Sequence, residues 1–156
     1  NSFEALVEAF QLALYQHYNT EEESPLYSSP VMRDFAEEHA PGLYNIIFKS
    51  ITRSNDNRIS KAREELQHQR TVVILHTLAY FRSQKTSRMQ KDEGLFLHQH
   101  GTSRTALNCG RVLGYGTSPR DIDNYKIRIT KSYPAIIERQ IVGATKVSDN
   151  KMFHKI

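Results

Sequence analysis

The chain has 156 residues, a net charge of +4 and 38% hydrophobic residues, enough apolar content for one ordinary domain and too much for a disordered chain. A single cysteine, Cys109, excludes an internal disulfide; that fits a reducing intracellular compartment, nuclear or cytoplasmic. No apolar run approaches the roughly 20 residues that span a bilayer, since the longest, Val72 to Tyr80, is interrupted by His76 and Thr77, and no membrane partner is expected.

Charge is distributed unevenly. Residues 1–50 hold two basic residues, Arg33 and Lys49, against eight carboxylates, a net −6, whereas residues 51–156 hold 19 against nine, a net +10. A basic segment of this strength draws polyanions through its long-range field, although a merely solvated basic face has the same composition. The chain starts at Asn1 without an initiator Met, as expected for a piece of a longer protein, and Asn1 to Tyr18 carries Glu4 and Glu8 with no basic start, unlike a secretory leader.

In chain order, Leu6, Phe10, Ala13 and Leu14 recur at helical spacing and predict a helix over Phe3 to Tyr18, capped by Ser2. An acidic, Ser- and Pro-containing stretch from Asn19 to Pro30 reads as a loop. Ser29-Pro30 opens a short amphipathic helix with Val31, Phe35 and Ala36 on its inner face. Pro41 is expected in the first turn of the next, strongly apolar helix, Leu43 to Ile51. Ser54 to Asn57 is turn-like. The longest periodic stretch, Ser60 to Phe81, is apolar nearly all round from Val72 onward and is expected to be the central buried helix.

Met89 to His100 predicts a further helix with Met89, Leu95 and Phe96 inside. Gly101-Thr102-Ser103 ends it and caps Arg104 to Leu113, where Ala106, Leu107, Val112 and Leu113 are apolar. Gly114 to Ser118 is a turn, and Pro119 starts another helix through about Lys131. Ser132 to Ile141 adds one more, and beyond Gly143 the chain is a polar, basic tail. The fold expected is therefore all-α: a single-domain bundle of about six to seven helices over 1–143, acidic over residues 1–50 and basic over residues 51–143, ahead of a tail 144–156.

Residues Gly101 to Thr130 read helix, tight Gly-containing turn, helix, the grammar of a helix-turn-helix. The first helix would supply Arg104 and Arg111, and the second Arg120, Asn124, Lys126, Arg128 and Lys131. Arg and Lys neutralise phosphates, and Asn pairs bidentately with adenine. An ordinary helical hairpin has the same pattern, and Asp121 and Asp123 at the start of the second helix would repel phosphate. A second basic patch, Arg82, Lys85, Arg88 and Lys91, has the spacing of one side of a helix and, with Arg70, could track a phosphate backbone; a solvated helix face is the competing reading.

His98, His100, Cys109 and the distant His154 lack the spacing of a zinc site, and surface or hydrogen-bonded histidines explain them better. His76, on an apolar helix, reads as a satisfied core residue, and Cys109 as a small buried hydrophobe. Glu64-Glu65 and Asp121/Asp123 read as exposed charge. Phosphate-loop, nucleophile-elbow and zinc-protease motifs are all missing from the sequence, which predicts a non-enzymatic module without metal or cofactor.

The runs Ala40 to Tyr44, Leu78 to Gln90, Gly94 to His98, Gly101 to Arg104 and Leu113-Gly114 resemble a transposon-derived family of large animal and fungal proteins, in which a helical segment precedes a ribonuclease-H-like transposase domain. The likeness covers roughly residues 40–130, and Tyr115-Gly116-Thr117-Ser118 departs from the family's step at that turn. It implies a helical region that assists duplex DNA binding or assembly, with no active site of its own; Asp149-Asn150 lacks the strand that a catalytic metal site would need. The alternative partner is protein: a homodimerisation or interaction module in which the acidic residues 1–50 of one chain meet the basic remainder of another.

Overall fold

Seven helices and no strand make up the described structure. The computed structural model describes residues 2–19, 24–52 and 60–132. The turn expected at Ser54 to Asn57, the helix from Ser132 to Ile141 past its first residue, the boundary at Gly143, the tail and Asp149-Asn150 lie outside the described residues. So does His154.

The first helix, α1 (Phe3–Asn19), begins where the Ser2 hydroxyl accepts the Ala5 N–H at 3.3 Å. Leu6, Phe10 and Leu14, four residues apart, form its buried stripe with Val7. In α2 (Ser29–His39) Pro30 sits in the first turn, as its fixed φ favours. The stripe here is Ser29, Met32 and Ala36, so Met32 is fully buried while Val31, expected inside, is 50% exposed. Starting the helix at Ser29 turns position 31 away from the line through 29, 32 and 36.

Pro41 also lies elsewhere than expected. It stands before α3 (Leu43–Ile51) rather than in its first turn, because Gly42 adopts a left-handed φ of 87° and reverses the chain there. The Gly42 N–H is held by the Glu37 carboxylate at 3.1 Å. Leu43, Tyr44 and Ile47 then face the core.

The longest helix, α4 (Lys61–Arg82), is capped by the Ser60 hydroxyl, which accepts the Arg63 N–H at 3.3 Å. It packs against α1, α2 and α3, and is central as expected. It is not buried all round: Thr71, Val72, Leu75, His76, Ala79 and Tyr80 face inward, whereas Val73 and Phe81 are exposed. The main core is made by these four helices, with Phe10, Leu14, Met32, Leu43, Tyr44 and Leu75 at its centre. The β-branched run Thr71 to Ile74 is tolerated because the Thr71 hydroxyl donates back to the Gln67 carbonyl at 2.9 Å, which satisfies that buried donor.

Residues 83–87 then turn the chain. The Thr86 hydroxyl, buried, lies within hydrogen-bonding distance of the Ala79 and Ser83 carbonyls at 2.8 and 2.7 Å and anchors the bend to the end of α4. Next come α5 (Arg88–Gln99), α6 (Arg104–Leu113) and α7 (119–132). Each of the last two has a serine cap: Ser103 accepts the Ala106 N–H at 3.2 Å, and Ser118 accepts the Asp121 N–H at 3.1 Å while donating to the Asp121 carboxylate at 2.7 Å.

The expected inner residues of α5 and α6 need correction. Phe96 is 58% exposed, Val112 76% and Leu113 62%. The buried positions on α5 are Gln90 and Gly94, and on α6 Leu107 and Gly110. Gly94 explains the choice of face: a Cβ there would stand 2.8 Å from Cδ1 of Ile122 on α7, so the absent side chain lets the helices approach. Leu107 is buried, and Met89 and Leu95 are half-buried, whereas apolarity misplaced Phe96, Val112 and Leu113.

One polar chain crosses the main core. His76 is buried on α4, with Nδ1 at 3.0 Å from the Val72 carbonyl and Nε2 at 2.9 Å from the Tyr18 hydroxyl. A carbonyl only accepts, so Nδ1 carries the proton, Nε2 accepts from Tyr18, and the Tyr18 oxygen accepts the Leu26 N–H at 3.1 Å. His76 is thus the satisfied core residue that the sequence suggested. Burial lowers its pKa from 6.5 to about 4, against a smaller opposing effect of the Val72 carbonyl.

Packing and protonation are each open to test. Gly94→Ala gains helix propensity of about 1 kcal/mol but overpacks by about 1–3 kcal/mol against an Ile122 side chain that is itself buried. A net loss of about 1 kcal/mol in urea unfolding is expected, relieved in the Gly94→Ala/Ile122→Val double variant; additive effects would contradict the contact. For His76 the unfolded chain binds a proton near pH 6.5 and the folded chain only near 4, so stability is intact above 6.5 and falls as pH drops towards 4. Between pH 7 and 5 the loss should be about 2 kcal/mol, and His76→Leu should flatten it; an unchanged unfolding midpoint in the parent protein over that range would refute the assignment.

Candidate nucleic-acid interface

The two basic segments singled out in the sequence meet in space. A half-open cleft of about 120 Å³ is lined by Tyr15, Tyr18 and Asn19 of α1, Lys85 and Ser87 of the 83–87 bend, Arg88 and Lys91 of α5, and Arg128 of α7. Four cations from three chain segments therefore converge on one concavity. Lys85, Lys91 and Arg128 form no ion pair among the described residues. Burial, and next the Arg128 guanidinium, hold the Lys91 pKa below its ordinary value, with Asp121 and Asp92 offsetting part of the effect. The cluster is thus internally repulsive, and an anion would relieve it.

The carboxylate that assembles this cleft is Asp92. It accepts hydrogen bonds from the Tyr27 hydroxyl at 2.5 Å, the Tyr125 hydroxyl and Arg88 Nε at 3.0 Å. Tyr27 comes from the loop before α2, Arg88 and Asp92 from α5, and Tyr125 from α7, so one residue ties the C-terminal helices to the main bundle. Burial first, then the bond to Asp92, pushes Tyr125 up to about 12 and raises Tyr27 well above the usual phenol value. Both hydroxyls therefore stay protonated and act as donors. Burial works against the charged form of Arg88, but Asp92, Tyr125 and Tyr27 together more than offset it and raise its pKa. Arg128 lies over the Tyr125 ring, 5.2 Å from its centre, which fixes the guanidinium at the rim.

The remaining candidates are distributed differently. Arg82, Lys85, Arg88 and Lys91 do not lie along one helix face: Arg82 ends α4, Lys85 is in the bend, and only Arg88 and Lys91 are on α5. Arg82 is turned to α1, where it pairs with Glu8 at 3.2 Å and Glu4 at 3.9 Å. Arg104 pairs with Asp123 across the α6–α7 hairpin at 3.1 Å. Arg111 is exposed on α6, away from the cleft lining. On α7, Ile122 and Tyr125 are buried, so Arg120, Asn124 and Lys131, at positions i, i+4 and i+11, share the opposite, exposed face. Lys126 is half-buried on the flank away from Arg128. The two aspartates expected to repel phosphate are engaged, Asp123 with Arg104 and Asp121 with Ser118.

Among the described residues no cluster of three His, Cys, Asp or Glu is placed to hold a metal ion. His100 Nδ1 bonds to the Phe96 carbonyl at 2.7 Å, and Cys109, expected to be buried, is exposed because α6 buries the line through Leu107 and Gly110 instead. Among the described residues no helix is long and apolar enough to cross a membrane. Sequence reasoning passed over Asp92, Tyr15, Tyr18, Tyr27 and Tyr125. The Arg88–Asp92 spacing of i, i+4 was a visible signal; the tyrosines come from distant segments and gave none. Comparison with protein families, with curated proteins and with solved structures finds no match to this chain.

Asp92→Ala leaves Arg88 and two largely buried tyrosine hydroxyls without their acceptor, and should cost about 3 kcal/mol. Tyr125→Phe removes one donor and should cost about 1 kcal/mol. Chemical denaturation checks both, and an Asp92→Ala loss no larger than that of Tyr125→Phe would contradict the central role of Asp92.

Proposed function

We propose that this chain is a non-enzymatic, nucleic-acid-binding or architectural helical domain of a transposon-derived protein, which contacts duplex DNA through its basic helices. The observation that carries this reading is the convergence of Lys85, Arg88, Lys91 and Arg128 on one cleft, next to an α7 face bearing Arg120, Asn124 and Lys131. Lys85, Lys91 and Arg128, without carboxylate partners among the described residues, keep their charge available to phosphate, and Tyr15 and Tyr18 line the same cleft. The likeness of residues 40–130 to helical segments that precede transposase cores points the same way, as does the net +10 of residues 51–156.

A second reading has a specific observation behind it. Phe81, Val112 and Leu113 are each more than 60% exposed, and Phe81 lies against Gly114, which follows Leu113 directly. Such a patch suits a protein partner. Sedimentation without nucleic acid separates the two, since a stable dimer that Leu113→Glu disperses would favour this second reading.

Fluorescence-anisotropy titration of labelled duplex DNA tests the first. With about four phosphates neutralised, log K should fall with log salt at a slope near −3.6, roughly a hundredfold loss between 50 and 200 mM salt. Lys85→Gln with Arg128→Gln should reduce the slope by about 2. No binding at low salt, or binding indifferent to salt, would overturn the reading.

A further inference from the structure

We propose that the cleft between α1, α5 and α7 is a binding site for a phosphate monoester dianion, presented to this protein by the phosphorylated end of a nucleic-acid strand. The chemistry of the site rests on the cleft itself, while its assignment to a strand end rests on the nucleic-acid reading above.

Charge favours a dianion. Lys85, Lys91 and Arg128 lack ion-pair partners among the described residues, while Arg88 shares the Asp92 carboxylate, so the lining carries an excess of about three positive charges. An internal phosphodiester carries one negative charge, whereas a phosphate monoester carries about −1.5 to −2 near neutral pH and three acceptor oxygens. The monoester matches both the charge and the number of donors better. Asp121 lies near enough to affect Lys91, but it is hydrogen-bonded to Ser118 and leaves the excess positive.

Size and enclosure favour a chain end. The cleft measures about 120 Å³, slightly less than a cavity of about 150 Å³ that accommodates benzene. A phosphoryl group of five heavy atoms fits, and a nucleoside does not. The lining comes from α1, the bend, α5 and α7, and the cleft is half enclosed. A phosphate inside a chain must continue in two directions, but a terminal phosphate enters end-on. Ser87, the N-cap residue of the twelve-residue α5, also lines the cleft, and its side chain caps no backbone N–H. Tyr18 cannot supply a donor, since its proton is committed to His76; it and Tyr15 form the less polar wall.

Two titrations on the whole chain decide it. Calorimetry with inorganic phosphate at constant ionic strength should show one saturable site, lost in Lys91→Gln and in Arg128→Gln while far-UV circular dichroism stays unchanged. Should either variant unfold, amide chemical shifts of residues 87–91 in the parent protein, titrated with phosphate and then with chloride as control, serve the same purpose. Absence of saturable phosphate binding overturns the proposal, even if duplex DNA binds, in which case the nucleic-acid reading stands alone. Anisotropy with duplexes bearing 5′-phosphate or 5′-hydroxyl ends identifies the source. At least about tenfold tighter binding of the phosphorylated duplex, abolished by the same variants, is the expected result. Saturable phosphate binding with equal affinity for the two duplexes, or with affinity for neither, keeps the site and overturns its assignment to a strand end; affinity for neither would also defeat the nucleic-acid reading.

Discussion

The Asp92 carboxylate holds the C-terminal helices to the bundle. Its oxygens accept hydrogen bonds from the hydroxyls of Tyr27 and Tyr125 and from Nε–H of Arg88, which come from the loop before α2, from α7 and from α5 itself. A partly buried carboxylate is costly unless its lone pairs are filled and an opposite charge stands close. Here both conditions are met, and meeting them fixes three segments of chain at once. The cleft is a consequence: Arg88 is drawn to one side by Asp92, Arg128 is seated on the ring of Tyr125, and Lys85 and Lys91 are left around the opening.

A second polar chain fixes the opposite wall. His76, in its Nδ1-protonated form, accepts the Tyr18 proton, and Tyr18 in turn receives the Leu26 N–H. Tyr18 is a cleft residue, so the position of that wall is set from inside the main core, while the cations are set from the small C-terminal cluster. The buried apolar side chains of α5, α6 and α7 are few among the described residues: Leu107, Ile122 and Tyr125. Hydrogen bonding to Asp92 thus contributes a larger share of cohesion there than in the four-helix core.

Much of the architecture is legible in the sequence because helix ends are local chemistry. Ser2, Ser103 and Ser118 announce caps, Pro30 and Pro119 announce first turns, and the observed helices begin there. The inner faces are less legible. Val31, Phe96, Val112 and Leu113 are more apolar than Met32, Gln90, Gly94 and Gly110, yet the latter are buried. Helix contacts chose to seat the Ile122 side chain on the bare backbone at Gly94 over burial of a large ring, a choice that depends on a residue nearly thirty positions later. The candidate site shows the same division. Its basic residues could be named from charge alone, but their grouping could not: regular spacing put Arg82 to Lys91 on one helix, whereas Thr86 bends the chain in their midst, and Asp92 and the tyrosines gain their roles only through tertiary contacts.

Residue-by-residue mapping of the DNA contact, by two-dimensional amide NMR on the labelled chain with an unlabelled duplex, tests the role of the basic cleft most directly. Saturable shifts concentrated at residues 85–91 and 120–131, with α2 and α3 unaffected, are the expected result. Shifts confined to the acidic N-terminal helices, or none at low salt, would contradict it.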